Sequence, residues 1–266
     1  MRKITIALQI VFVVVALQGC NFISAAGFSS QGQPIKEVQG DLTFTEVDPT
    51  LKVDHSAWTT LLQKYVDKDG FVSYKGFLND RDALNSYLQH LASNPPKDNW
   101  NVPELLAYYI NLYNAHTVNL ILDNYPVNSI KDISGPWTRS IVIIGDKNLS
   151  LGGIENSILR KMNEPRIHFA INCASLSCPN LLNEAFIASK INEQLERVSF
   201  NFINSDKNEI SSNNPKLSKI FKWYKKDFKV NGEKDLIGFI NKYSKIKIKS
   251  DASLDYKEYN WNLNEK

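Results

Sequence analysis

The sequence predicts an α+β fold: about seven helices around a small mixed sheet, with a central uncharged helix. Two observations carry this. Helical apolar spacing recurs along most of the chain, and between Glu104 and Asp123 no charged residue occurs at all. Short alternating runs, the raw material of strands, are scattered between the helices and form no βαβ repeat.

The first element is a leader. MRK is a basic start, ITIALQIVFVVVA an apolar run, and LQGC a small-residue end, the pattern of a secretory signal over 1–19. The apolar run is short for a membrane span. Leu17-Gln18-Gly19-Cys20 resembles a bacterial lipobox, which implies acylation at Cys20 and a membrane partner reached through N-terminal lipid. Asn21 follows where an aspartate would resemble inner-membrane retention, so the expected place is the cell envelope, facing the periplasm or exterior, with an outer membrane favoured. Residues 20–40 are rich in Ser, Gly, Gln and Ala and read as a flexible tether. A single domain is expected over 41–266.

Removing Arg2 and Lys3 with the leader reduces the formal charge from +3 to 29 − 28 = +1. That balance argues against a nucleic-acid partner. Lysines do concentrate from Lys216 to Lys249, a pattern read as a solvated face.

Along the domain, Asp54 caps a helix through HSAWTTLLQKYV, and DKDG turns into a strand FVSY. DKDG lacks the glycine and glutamate spacing of an EF-hand. A helix runs from about Phe77 to Ala92, stopped by Asn94-Pro95-Pro96. The uncharged helix runs from Pro103 to Asn124. One face holds Ala107, Asn111, Asn114, Ala115 and Val118, with His116 about 140° round from Asn111. RSIVIIG and NLSL form a hairpin about Asp146-Lys147-Asn148, and GGIENSILRKM is the next helix. Its Glu155 is either a first-turn carboxylate favoured by the helix dipole or a binding group. RIHFAIN reads as a strand with His168, Ala170 and Asn172 on one face. SKINEQLERVSFNFINS and PKLSKIFKWYKKDFK read as amphipathic helices, KIKIK as a lysine-guarded edge strand, and LDYKEYNWNLN as a docked closing segment.

Taken together, LLQKYVDKDGFVSYKGF, YYINLYNAHTVNLILDNYPVNSIKDI, LSLGGIENSILR, PRIHFAINCASLSCPNLLNEAF, FKWYKKDF and YNWNLN resemble the successive blocks of the domain of unknown function family 547. The resemblance spans Trp58 to Asn264 and implies no settled activity. The chain departs from it at the glycines of LSLGGIE, where similar sequences carry acidic capping residues. It departs again at His116, where they are often aromatic or aliphatic.

The chemistry-bearing stretch is RIHFAINCASLSCP. With Cys20 acylated, Cys173 and Cys178 are an even pair in an oxidising compartment, and a disulfide between them is the simplest reading. A nucleophilic Cys178 or Cys173 is the alternative, with His168 as base and Asn111, Asn114 or Asn172 orienting the histidine or polarising a carbonyl. A helix after Pro179 would then favour a thiolate. Asn114, Asn172, Glu155 and Ser175 are candidate binding residues for a small molecule or peptide. All four histidines precede both cysteines, so a papain-like Cys-then-His order is impossible. One histidine with C-x4-C does not make a zinc site, and no metal or cofactor is expected. Three readings stay open: a ligand-binding envelope domain with a disulfide, a thiol-dependent hydrolase or transferase, and a structural or partner-binding lipoprotein.

Overall fold

The computed structural model describes residues 21–39, 42 and 53–266. The expected signal peptide, the acylated Cys20 and the domain start near Asp41 lie outside the described residues. The architecture is α+β, and helices carry it. Among the described residues no helix is long and apolar enough to cross a membrane.

Helix α1 (Ser56–Tyr65) begins where the Asp54 carboxylate accepts the Ser56 N–H at 2.9 Å. The helix expected over Phe77–Ala92 is broken by a 3-10 turn, Leu78–Asp80, between a single turn α2 (Tyr74–Phe77) and α3 (Arg81–Ser93). Helix α4 (Val102–Asn124) opens with a capping box: Asn101 accepts the Glu104 N–H, and the Glu104 carboxylate accepts the Asn101 N–H, both at 3.0 Å. Every side chain from Glu104 to Val118 is buried. Absence of charge over this helix is therefore the signature of a core element wrapped on all sides. α3 packs on one flank of α4, and α6 (Ile191–Ile203) on another.

The hairpin β1 (Val142–Ile144) with β2 (Lys147–Leu149) lies against α3 and α4. Its turn is Gly145-Asp146, not Asp146 to Asn148, because Gly145 supplies the positive φ of 57° that a tight turn requires. Next, α5 (Leu151–Gly153) runs on through a π-helical stretch, Ile154–Ile158, and a 3-10 turn, Leu159–Met162. α7 (Lys219–Trp223) and α8 (Leu236–Tyr243) complete the helices.

No single mixed sheet forms among the described residues. The strands occur as three two-stranded pieces: the hairpin, β3 (Lys216–Leu217) parallel to β6 (Asp255–Tyr256), and β4 (Lys229–Val230) antiparallel to β5 (Glu233–Lys234). FVSY supplies only bridge contacts at Val72, and KIKIK forms no strand. RIHFAIN is likewise not a strand: Pro165–Phe169 is a 3-10 turn followed by irregular chain. Its alternation carried no information, because Ile167 through Asn172 are all buried. PKLSKIFKWYKKDFK is helical only over Lys219–Trp223.

Residues 21–39, expected as a tether, are held against the domain instead. Residues 21–25 are helical. The Ser157 hydroxyl donates to the Ser24 carbonyl at 2.6 Å, Asn156 Nδ2 to the Ala25 carbonyl at 2.8 Å, and the Tyr109 hydroxyl to the Pro34 carbonyl at 2.9 Å. The Val38 N–H reaches the Met162 carbonyl at 2.8 Å. The small residues that mimic linker composition are small for fit. A Cβ at Gly153 would stand 2.6 Å from Ser24 Oγ, and one at Gly152 would stand 2.7 Å from the Trp137 carbonyl and 3.1 Å from the Ala25 Cβ. The glycines that set LSLGGIE apart are thus the seat of the N-terminal segment.

Candidate active site

Two asparagines build the loop that carries the thiols. Asn114, from α4, accepts the Asn172 N–H at 2.8 Å and donates to the Ala170 carbonyl at 3.0 Å. Asn172 accepts the Ala174 N–H at 2.8 Å and donates to the Pro179 carbonyl at 2.7 Å. Between them they satisfy buried main-chain groups in a stretch with no regular ladder. They also hold Ala174 at φ 57°, a left-handed conformation that a residue with a Cβ adopts at a cost. Asn111 does the same elsewhere, exchanging hydrogen bonds with the backbone of Phe186 at 2.7 and 2.9 Å. Asn111, Asn114 and Asn172 are therefore committed to main chain, and Asn111 does not orient His168. The closing segment then pairs with the loop, Leu176 N–H to the Asn262 carbonyl and Asn264 N–H to the Ala174 carbonyl, which delivers Tyr259 and Trp261.

Cys173 and Cys178 are free thiols, not the bridge that the sequence favoured. The Cys178 sulfur is buried and already accepts the Cys173 N–H at 2.9 Å. The Cys173 sulfur turns instead toward the Ser175 hydroxyl at 3.3 Å and the Tyr259 hydroxyl at 3.4 Å. Hydrogen bonds from Cys178, and then from Ser175 and Tyr259, outweigh burial and lower the Cys173 thiol below its ordinary value. Burial pushes the Cys178 thiol well up. Thiolate character therefore belongs to Cys173. No helix follows Pro179, so side-chain donors replace the helix dipole expected there.

Cys173 opens onto a cleft of about 380 Å³. This lies within the usual range of small-molecule sites, roughly 300–1,000 Å³. Glu155, His168, Trp137, Trp223, Tyr224 and Trp261 are among the residues that line it. Glu155 enters from the π-helical stretch, an irregularity that redirects side chains and is frequent at functional sites. It caps nothing: Ser150 caps this helix, while Glu155 accepts hydrogen bonds from the hydroxyls of Tyr113, at 3.4 Å, and Tyr224.

His168 sits deeper, stacked on Tyr224 with ring centroids 4.0 Å apart. Its Nε2 is 2.9 Å from Asp227 Oδ2, and Arg160 grips the same carboxylate with Nε and Nη2 at 2.6 and 2.9 Å. Burial works to raise the Asp227 carboxyl, but the bonds from His168 and Arg160 prevail and hold it well below the usual carboxylate range. An ionised carboxylate only accepts, so Nε2 carries the proton and Nδ1 of the neutral ring is a bare acceptor. Nδ1 is buried with no partner among the described residues. His168 makes no hydrogen bond to either cysteine. His116, by contrast, is far from this chemistry: both its ring nitrogens are buried without partners, and burial lowers it to about 4.

The cleft thus unites Cys173, Cys178, Glu155 and His168, with Ser175 touching the thiol, while Asn114 and Asn172 act from behind. Sequence reading missed Asp227, which sits inside the lysine-rich run read as a solvated face. It missed the aromatic wall too, since Tyr113 looked like core and Trp223, Tyr224, Tyr259 and Trp261 come from segments distant in sequence. Among the described residues no group of three His, Cys, Asp or Glu side chains is placed to hold a metal.

Fold and cleft together define an α+β domain in which a thiol loop lines an aromatic-walled cleft. Residues 97–203 match the model of the DUF547 family, described as a protein of unknown function. The matched segment contains Glu155, His168, Cys173, Ser175 and Cys178, while Tyr224, Asp227, Tyr259 and Trp261 lie beyond the match. No curated protein and no solved structure matches the chain.

Proposed function

We propose that the chain is a lipid-anchored thiol-dependent hydrolase or acyl transferase of the cell envelope, with Cys173 as nucleophile and His168 as its proton carrier. The observation that supports this best is the Cys173 sulfur, held within hydrogen-bond distance of the Ser175 and Tyr259 hydroxyls at the wall of a ligand-sized cleft. A thiolate is the attacking species, and the Ser175 and Tyr259 hydroxyls beside the sulfur, with the Lys207 ammonium that bonds the Cys178 carbonyl, favour it. His168, oriented by Asp227, repeats the logic in which a carboxylate fixes the tautomer of a catalytic imidazole.

In the reaction, Cys173 passes its thiol proton to the free Nδ1 of His168 by way of water in the cleft, and the resulting thiolate attacks the acyl carbon of an ester or amide and forms a thioester. The leaving alkoxide or amine takes a proton from His168. Water, or an acceptor amine or alcohol, then attacks the thioester, giving its proton back to His168 and releasing the Cys173 thiolate. Cys178 takes no part as nucleophile; its sulfur accepts the Cys173 N–H and its S–H faces the Ile171 carbonyl. Incubation with a panel of activated acyl esters, followed by intact-mass analysis, tests this. A single acyl adduct on Cys173, absent from Cys173→Ser and retained in Asn183→Ala, is the expected outcome. Adducts distributed over surface lysines, or none on Cys173 with every ester, would contradict it.

A further inference from the structure

Among the described residues no lysine or arginine lines the Cys173 cleft, although the chain carries 31 of them. The acidic side chains that face the cavity are Glu155 and Cys173. Glu155 is buried, and among the described residues it makes no ion pair; its known partners are two tyrosine hydroxyls. Arg160, the nearest cation to influence it, is spent on Asp227 and Asn156. A buried carboxylate left without a counter-charge is costly unless something supplies one.

The rest of the wall is aromatic. Trp223, Tyr259 and Trp261 form one cluster, with centroids 4.8 Å apart for Trp223 and Tyr259 and 4.6 Å for Tyr259 and Trp261, and Trp137 joins it at 5.8 Å from Trp261. Trp223 is 47% exposed, an unusual position for the largest apolar side chain unless it covers a ligand. Aromatic faces beside an anionic group are the recognition chemistry of ammonium and quaternary ammonium ions. The rings already show this behaviour: Lys131 Nζ stands 5.3 Å from Trp261 on the outside, and the Arg160 guanidinium 5.2 Å from Tyr224. His168 Nδ1, an unpartnered acceptor, adds a second polar group to the same cavity wall.

We propose that the cleft takes a substrate bearing a cationic nitrogen, an ammonium or quaternary ammonium group received by Glu155 and the Trp223, Tyr259 and Trp261 wall. This deepens the acyl-transfer reading and rests on it: the cation anchors the substrate, and its acyl carbon meets Cys173. A bound cation also offsets the charge of the thiolate, so anchoring and activation act together.

The test is a tryptophan-fluorescence titration of the full chain with choline and with its uncharged isostere 3,3-dimethylbutan-1-ol, at constant ionic strength. Choline is expected to bind at least about tenfold more tightly than the isostere. Glu155→Gln abolishes that preference, and Trp223→Leu, at a half-exposed position that tolerates change, weakens choline more than the alcohol. Cys173→Ser retains the preference, which separates binding from thiol chemistry. Were Cys173 to form no acyl adduct while choline still bound in this manner, the acyl-transfer reading alone would fall. Equal affinity for the two probes, a preference that persists in Glu155→Gln, or no saturation by choline at tens of millimolar would overturn the cation site.

Discussion

Cys173 and Cys178 are five residues apart and chemically opposite. One sulfur lies beside two hydroxyls at a cavity wall; the other, at the edge of the same cleft, is almost wholly buried and accepts a backbone N–H. Removing one donor by Tyr259→Phe is expected to raise the Cys173 thiol toward its ordinary value, read as an alkylation rate at neutral pH that falls several-fold while the rate at high pH is kept. Asp227→Asn frees the His168 tautomer, and if acyl turnover is present it is expected to fall about a hundredfold or more. The histidines away from the cleft make a stability prediction. Burial lowers His116 and His55 to about 4 from 6.5, so the unfolded chain binds protons that the folded chain refuses. Each histidine therefore contributes stability that is complete above about pH 6.5 and is lost as pH falls to about 4, amounting to roughly 3 kcal/mol each. Urea unfolding of His116→Leu between those pH values should show a shallower loss than the wild type, by about that amount.

At the scale of elements, the long helix α4 was legible and the thiol loop was not. A run without charge from Glu104 to Asp123, with a cap at one end and Tyr125-Pro126 at the other, leaves few alternatives to a buried helix. RIHFAIN offered period-two alternation, but a segment buried on all sides has no solvent face for alternation to report. What shapes it is a pair of side chains, Asn114 and Asn172, whose partners are main-chain atoms up to 58 residues away. Asparagine in an apolar helix signals only that a polar partner exists. Replacing Asn114 by alanine strands the Asn172 N–H and the Ala170 carbonyl, and is expected to cost about 2–4 kcal/mol in urea unfolding. The same change should also loosen the loop enough to make Cys178 reactive to alkylation in the native state.

At the scale of the molecule, the cleft is assembled from nearly the whole chain. Ala25 comes from the N-terminal segment, Tyr113 from α4, Glu155 from the π-helical stretch, Cys173 from the loop, Trp223 from α7 and Tyr259 from the closing segment. Most of this was invisible in sequence because the wall is made by segments that meet only in the fold. The N-terminal segment shows the difficulty most clearly: Ser24 and Ala25 look like linker until Gly152 and Gly153 are seen beneath them. Gly152→Ala drives a Cβ against the Trp137 carbonyl, and it is expected to destabilise the fold by about 1–3 kcal/mol. Faster proteolysis within residues 21–39 would mark the same lesion, and unchanged melting with unchanged proteolysis would refute the docking.

The account rests on the unequal thiols, and the most direct measurement of it is the pH dependence of iodoacetamide labelling in the native protein, with peptide mapping of each cysteine. Labelling of Cys173 alone, with a midpoint below the ordinary thiol value of about 8.5, is the predicted result. A Cys173–Cys178 disulfide in the protein as purified without reductant, or labelling of both cysteines at equal rates, would contradict it.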